Sequence, residues 1–119
     1  MHWKDLDVWK DSHKLVKEIY KVTAVFPKEE IYGLTSQVKR ASISVPANIV
    51  EGFSRNTTKE YIHFLYNSRG SLEEMRYHIL LAQELQFMSV EEHESLEGKA
   101  EKVSKMLNGL IASLERKIK

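Results

Sequence analysis

Glu60-Tyr61-Ile62-His63 sets a carboxylate and an imidazole one helical turn apart, half of the paired Glu-x-x-His arrangement with which four-helix bundles hold two iron ions. The counterpart is missing. Glu74 and His78 have the wrong spacing, and Glu91-Glu92-His93 falls at an expected helix start, so no metal site is expected. The other histidines, His2, His13, His78 and His93, show no metal-ligand spacing, and none accompanies a Ser-centred nucleophile motif. Glu51-Gly52-Phe53-Ser54-Arg55 lacks the glycine pair and the lysine of a phosphate-binding loop. The chain has no cysteine, which excludes thiolate nucleophiles and thiolate zinc sites. No catalytic residue and no cofactor is expected.

Two kinds of polar residue remain. On the second apolar segment Gln37, Arg40, Ser44, Asn48 and Glu51 follow one another at steps of three or four, and so share a helix face. Asn67, Ser71, Glu74 and His78 form a matching set on the third. Two readings of these residues stay open: a solvated face, or a partly buried hydrogen-bonded layer between helices or subunits that includes an Arg40–Glu74 ion pair. The other kind is cationic. Net charge is only +1, from 18 Lys plus Arg against 17 Asp plus Glu, so the whole chain is not a basic object. Charge is nonetheless unevenly placed: Lys39, Arg40, Arg55 and Lys59 face Glu51 alone between Leu34 and Lys59, while Glu91, Glu92, Glu94, Glu97 and Glu101 crowd a later stretch. Lys39, Arg55, Lys59, Arg69 and Arg76 are the candidate phosphate contacts, with Phe53 or Tyr61 to stack on unpaired bases. Trp3 and Trp9 read as packing residues.

The elements that must position these residues are helices. Val8, Trp9, Leu15, Val16, Ile19, Tyr20, Val22 and Phe26 recur in threes and fours and predict a helix over 6–26, stopped by Pro27. Leu34, Val38, Ala41, Val45 and Ile49 predict a second over 34–51, with a kink or local break at Pro46 and Gly52 as terminator. Thr57 or Thr58 caps a third over 58–86, in which Gly70 suggests close approach of another backbone. Ser89 with Glu92 is a capping box for a fourth over 90–118, whose seam is Leu96, Ala100, Val103, Leu107, Leu110, Leu114 and Ile118. At 119 residues and 42% hydrophobic, the chain suits a single domain over 1–119. The simplest assembly is an all-α, antiparallel up-down-up-down four-helix bundle; three helices plus an arm is the alternative. Met1-His2-Trp3-Lys4-Asp5 lacks an apolar signal core and no segment has the roughly 18 apolar residues of a membrane span, so a cytoplasmic location without membrane contact is expected.

Three segments carry a resemblance: Asp5-Leu6-Asp7-Val8-Trp9, then Phe26 through Leu34, then Gln37 through Gly52. The run Arg40-Ala41-Ser42-Ile43-Ser44-Val45-Pro46-Ala47-Asn48-Ile49-Val50-Glu51-Gly52 is its most specific part, and Gly70-Ser71-Leu72-Glu73-Glu74 adds a further block. Through them the sequence resembles, over nearly its whole length, the family of 23S rRNA intervening-sequence proteins. The resemblance implies a bacterial four-helix bundle, a homopentameric ring and an RNA-associated role, and brings no catalytic residues. Accessory proteins of diversity-generating retroelements are similar in shape and form basic pentamers that engage RNA and a reverse transcriptase; this chain departs from them in being nearly neutral. Two functions follow as expectations: a self-assembling protein on ribosomal RNA, or an adaptor that docks a protein partner such as a reverse transcriptase without touching RNA.

Overall fold

A computed structural model describes residues 1–118. Four α-helices carry the fold: α1 (Asp7–Thr23), α2 (Leu34–Phe53), α3 (Thr58–Glu84) and α4 (Val90–Lys117). Short 3-10 turns over Trp3–Asp5 and Lys28–Glu30 precede α1 and α2, and the described residues contain no strand. α4, with 28 residues at 1.5 Å each, should be about 42 Å long, and the molecule is a rod of 47 × 24 × 21 Å.

Each helix packs on its neighbours around a ring, α1 on α2, α2 on α3, α3 on α4 and α4 on α1. α4 runs opposite to both α3 and α1. Contacts that advance along α3 retreat along α4, from Tyr66–Glu115 through Arg69–Asn108 to Arg76–Glu97. The apolar stripes meet inside, where Ile19, Ile49, Leu65, Leu72, Met75, Ile79 and Leu107 are fully buried.

Helix ends follow local hydrogen bonding. Thr57 Oγ1 accepts from Glu60 N at 3.1 Å and starts α3. Ser89 Oγ accepts from Glu92 N at 3.0 Å while Ser89 N donates to the Glu92 carboxylate at 2.9 Å, closing the capping box of α4. Ser89→Ala should therefore cost about 1 kcal/mol, read as a lower urea midpoint at constant slope. α3 ends in a Schellman motif: Phe87 N donates to Ala82 O at 2.8 Å and Gln86 N to Gln83 O at 2.9 Å. Gln86 accordingly sits at φ 66°, a left-handed conformation that suits glycine. Gln86→Gly should stabilise the protein by about 0.5–1 kcal/mol; an unchanged or lower thermal midpoint would contradict that reading.

Four details differ from the sequence reading. α1 closes at Thr23, three residues early, where the Thr23 hydroxyl donates back to Ile19 O at 2.8 Å. Phe26, beyond the helix, is still buried and meets Phe87 at 5.7 Å. Of the kink or local break expected at Pro46, the break does not occur: α2 is continuous from Leu34 to Phe53, its packing on α1 and α3 offsetting the lost N–H and the crowding at the Ser42 carbonyl. In α4 the buried seam moves from Leu107 to Ile111 instead of Leu110, because a helix of 3.6 residues per turn drifts about 20° per heptad from a strict seven-residue repeat.

The fourth concerns glycine. Gly70 is open: a Cβ there would meet nothing within 4 Å. Close approach occurs at Gly52, which lies inside α2 and is buried, and where a Cβ would stand 2.8 Å from Phe64 Cβ and 3.1 Å from the Tyr61 carbonyl oxygen.

Candidate functional site

The α2–α3 seam holds a polar layer. Ser68 Oγ donates to Val45 O at 2.8 Å, fully buried between the helices. Ser71 Oγ donates to Ser44 Oγ at 2.9 Å, and Asn48 Nδ2 donates to Ser44 Oγ at 2.9 Å and to Ser44 O at 2.8 Å. Ser44, Asn48 and Ser71 are half-buried, so these short side chains satisfy one another while the helix backbones draw together.

The rest of the stripe stays on the surface. Gln37, Arg40, Glu51 and Glu74 are exposed. Arg40 and Glu74 border one shallow polar hollow with Gln37, Ser44 and Ser71, yet among the described residues neither takes part in an ion pair. Glu51 pairs with Arg55 along α2 instead, at 2.8 Å. Further up the seam His78 Nδ1 and Thr35 Oγ1 are buried without a hydrogen-bond partner.

The cations singled out in the sequence are mostly engaged by the protein itself. Lys39 Nζ stands 4.6 Å from the centre of the Tyr20 ring on α1. Arg55 lies 4.6 Å over Phe64 besides pairing with Glu51. Arg69 donates to Asn108 Oδ1 at 3.0 Å and stacks 4.6 Å over Tyr66, whose hydroxyl donates to Glu115 at 2.7 Å. That hydrogen bond to Glu115 holds the Tyr66 phenol above its ordinary value. Arg76 binds Glu97, Glu73 at 3.0 Å and Glu101 at 3.1 Å. The hydrogen bond to Glu97 holds its guanidinium above the ordinary value, and burial opposes this. Lys59, exposed at the start of α3, makes no ion pair among the described residues.

The aromatic residues proposed for stacking are half-buried: Phe53 and Tyr61 meet edge to face at 6.0 Å. At the N-terminus His2, Trp3, Trp9 and His13 form a run of ring contacts at 4.7, 4.9 and 4.8 Å, which the spacing of Trp3 and Trp9 only hinted at. Glu60 and His63 are both exposed, and no group of three or more His, Asp or Glu able to hold a metal ion occurs among the described residues. None of the described helices is long and apolar enough to cross a membrane.

Helix order, opposed neighbours and a polar seam define an all-α four-helix-bundle protein. Residues 4–109 match the model of the family described as 23S rRNA-intervening sequence protein, and the chain belongs to that family. A crystal structure of a protein of unknown function from the S23 ribosomal protein family of Bacteroides thetaiotaomicron shares the fold. It is 21% identical with a TM-score of 0.79, over 87% of this chain and 97% of that one. No functionally curated protein matches the chain.

Proposed function

We propose that this protein is a noncatalytic, self-assembling component associated with ribosomal RNA or with its intervening sequence, acting in the bacterial cytoplasm. Membership of the intervening-sequence family carries the reading. The exposed parts of Lys39, Arg55, Lys59 and Arg69 supply phosphate contacts near the α2–α3 seam. Arg76 has its charge already met by three carboxylates and belongs to the fold. Repetition of a weak footprint around a homopentamer would raise affinity by avidity. Exposed apolar side chains support assembly: Tyr77 and Leu80, 59% and 41% exposed, line an open hollow with His93.

Binding of the purified protein to a structured RNA, titrated with salt, tests the RNA reading. Affinity should fall linearly on logarithmic axes as salt rises. Absence of binding at low salt, or affinity indifferent to salt, would overturn it. Light scattering tests assembly, and a strict monomer would remove the avidity argument. The same Tyr77–Leu80 hollow favours a second reading, an adaptor that docks a protein partner such as a reverse transcriptase. Pull-down before and after nuclease treatment separates the two, since a partner held through RNA is lost and a directly docked one is kept.

A further inference from the structure

Lys10, Lys14, Lys17 and Lys21 recur on α1 at steps of four, three and four. At 100° per residue they fall within roughly 60° of the helix circumference, opposite the buried stripe of Val8, Ser12, Leu15 and Ile19. All four are exposed, and they span about 16 Å along the rod. Among the described residues Lys14, Lys17 and Lys21 make no ion pair, and Lys10 only reaches Asp7 at 4.0 Å.

The carboxylates of α1 lie along one edge of this row: Asp7 reaches Lys10, and Lys14 and Lys21 border surface hollows that also hold Asp11 and Glu18. Asp11 and Glu18 lie on the flank of α1 that faces α4, where Lys102 and Lys99 engage them. The outermost face of α1 therefore carries lysine alone among charged residues, with its carboxylates along the edge toward α4. Like charges three and four residues apart destabilise a helix, and the engagement of Asp11 and Glu18 by Lys102 and Lys99 reduces what those carboxylates offset.

We propose that the outer face of α1 is a binding surface for the phosphate backbone of double-helical RNA, a proposal that rests on the RNA reading above. Lysine ammoniums on flexible stems act as point charges that suit phosphate oxygens and carry no base-edge geometry. The rings beside the row already pack on protein groups, His13 on Trp9 at 4.8 Å and Tyr20 beneath Lys39. Phosphate contact without base stacking selects a structured duplex over splayed single strands. The surface is distinct from the α2–α3 cations, most of which the protein already engages.

The test compares the full chain with K10Q/K14Q/K17Q/K21Q and with a charge-matched control, K28Q/K105Q/R116Q/K117Q, on an RNA hairpin and on an unstructured RNA of equal length. All eight side chains are exposed, so circular dichroism should show intact helices in every variant. At 0.1 M salt the α1 variant should lose on the order of a hundredfold in hairpin affinity, and its salt slope should shrink by about three to four. The control should lose far less. If the unaltered chain binds neither RNA, the RNA reading falls and this surface with it. If it binds and the α1 variant matches the control, only the α1 surface is overturned. Tighter binding of the unstructured RNA would overturn the choice of duplex.

Discussion

Replacing Gly52 with alanine is expected to lower stability by about 1–2 kcal/mol, although the same change in an open helix raises it. Alanine gains about 1 kcal/mol over glycine in helix propensity. Against this, the new Cβ would stand 2.8 Å from Phe64 Cβ and 3.1 Å from the Tyr61 carbonyl. Neither atom is the end of a flexible side chain, so α2 and α3 must separate, at a typical overpacking cost of about 1–3 kcal/mol. Separation also stretches the hydrogen bonds Ser68–Val45 and Ser71–Ser44, which places the outcome above the lower end of that range. Gly70→Ala is the internal control: its Cβ meets nothing within 4 Å, and a gain of about 0.5–1 kcal/mol is expected. Urea unfolding of the two variants should give midpoints displaced in opposite directions. A Gly52→Ala protein as stable as Gly70→Ala would show that the seam does not depend on backbone proximity.

Arg76→Met should cost about 1–2 kcal/mol. The side chain is 22% exposed and its guanidinium serves Glu97, Glu73 and Glu101, tying α3 to the acidic first half of α4. Charged hydrogen bonds contribute about 1.5–3 kcal/mol when well enclosed. Here Glu73 and Glu101 are at least half exposed and solvent screens them, which lowers the figure. Methionine keeps the apolar stem but leaves three carboxylates facing one another. The guanidinium's folded value is raised, so its contribution is fully present below the ordinary arginine value and is lost only as pH rises through the folded one. Across neutral pH this titration therefore leaves the stability difference between the two proteins constant. It should shrink in high salt. An Arg76→Met protein of undiminished stability would reduce the cluster to surface decoration.

Much of this architecture is visible in the residues alone. Apolar spacing located all four helices, Ser89 with Glu92 marked one start to the residue and Thr57 or Thr58 another to within one, because a cap is a contact within one turn of chain. Helix ends governed by tertiary contact were less legible. Phe26 continued the periodic pattern past the end of α1, since a buried loop residue has the same apolar character as a buried helical one.

The candidate site divided along the same line. Ser44, Asn48 and Ser71 could be placed on facing stripes from spacing, but only packing separated them from exposed Gln37, Arg40, Glu51 and Glu74 on the same faces. Arg69 and Arg76 carry the same charge in the sequence, and nothing local says that one meets an asparagine and a ring while the other meets three glutamates. The lysines of α1 were hidden by their own neighbours, Asp7, Asp11 and Glu18, which balance them in any count along the chain.

Sequence by itself determined four amphipathic helices and the residues able to cap them, because these follow from periodicity and short-range hydrogen bonding; the family came from the match over residues 4–109. Tertiary structure alone decided that Gly52 rather than Gly70 is the point of close approach, that most of the α2–α3 cations are already engaged, and that Asp11 and Glu18 of α1 are held by lysines of α4 while the lysines of α1 line its outer face. Charge acts through distance in space, and steric contact through the touching of surfaces; both are settled only once the helices have packed.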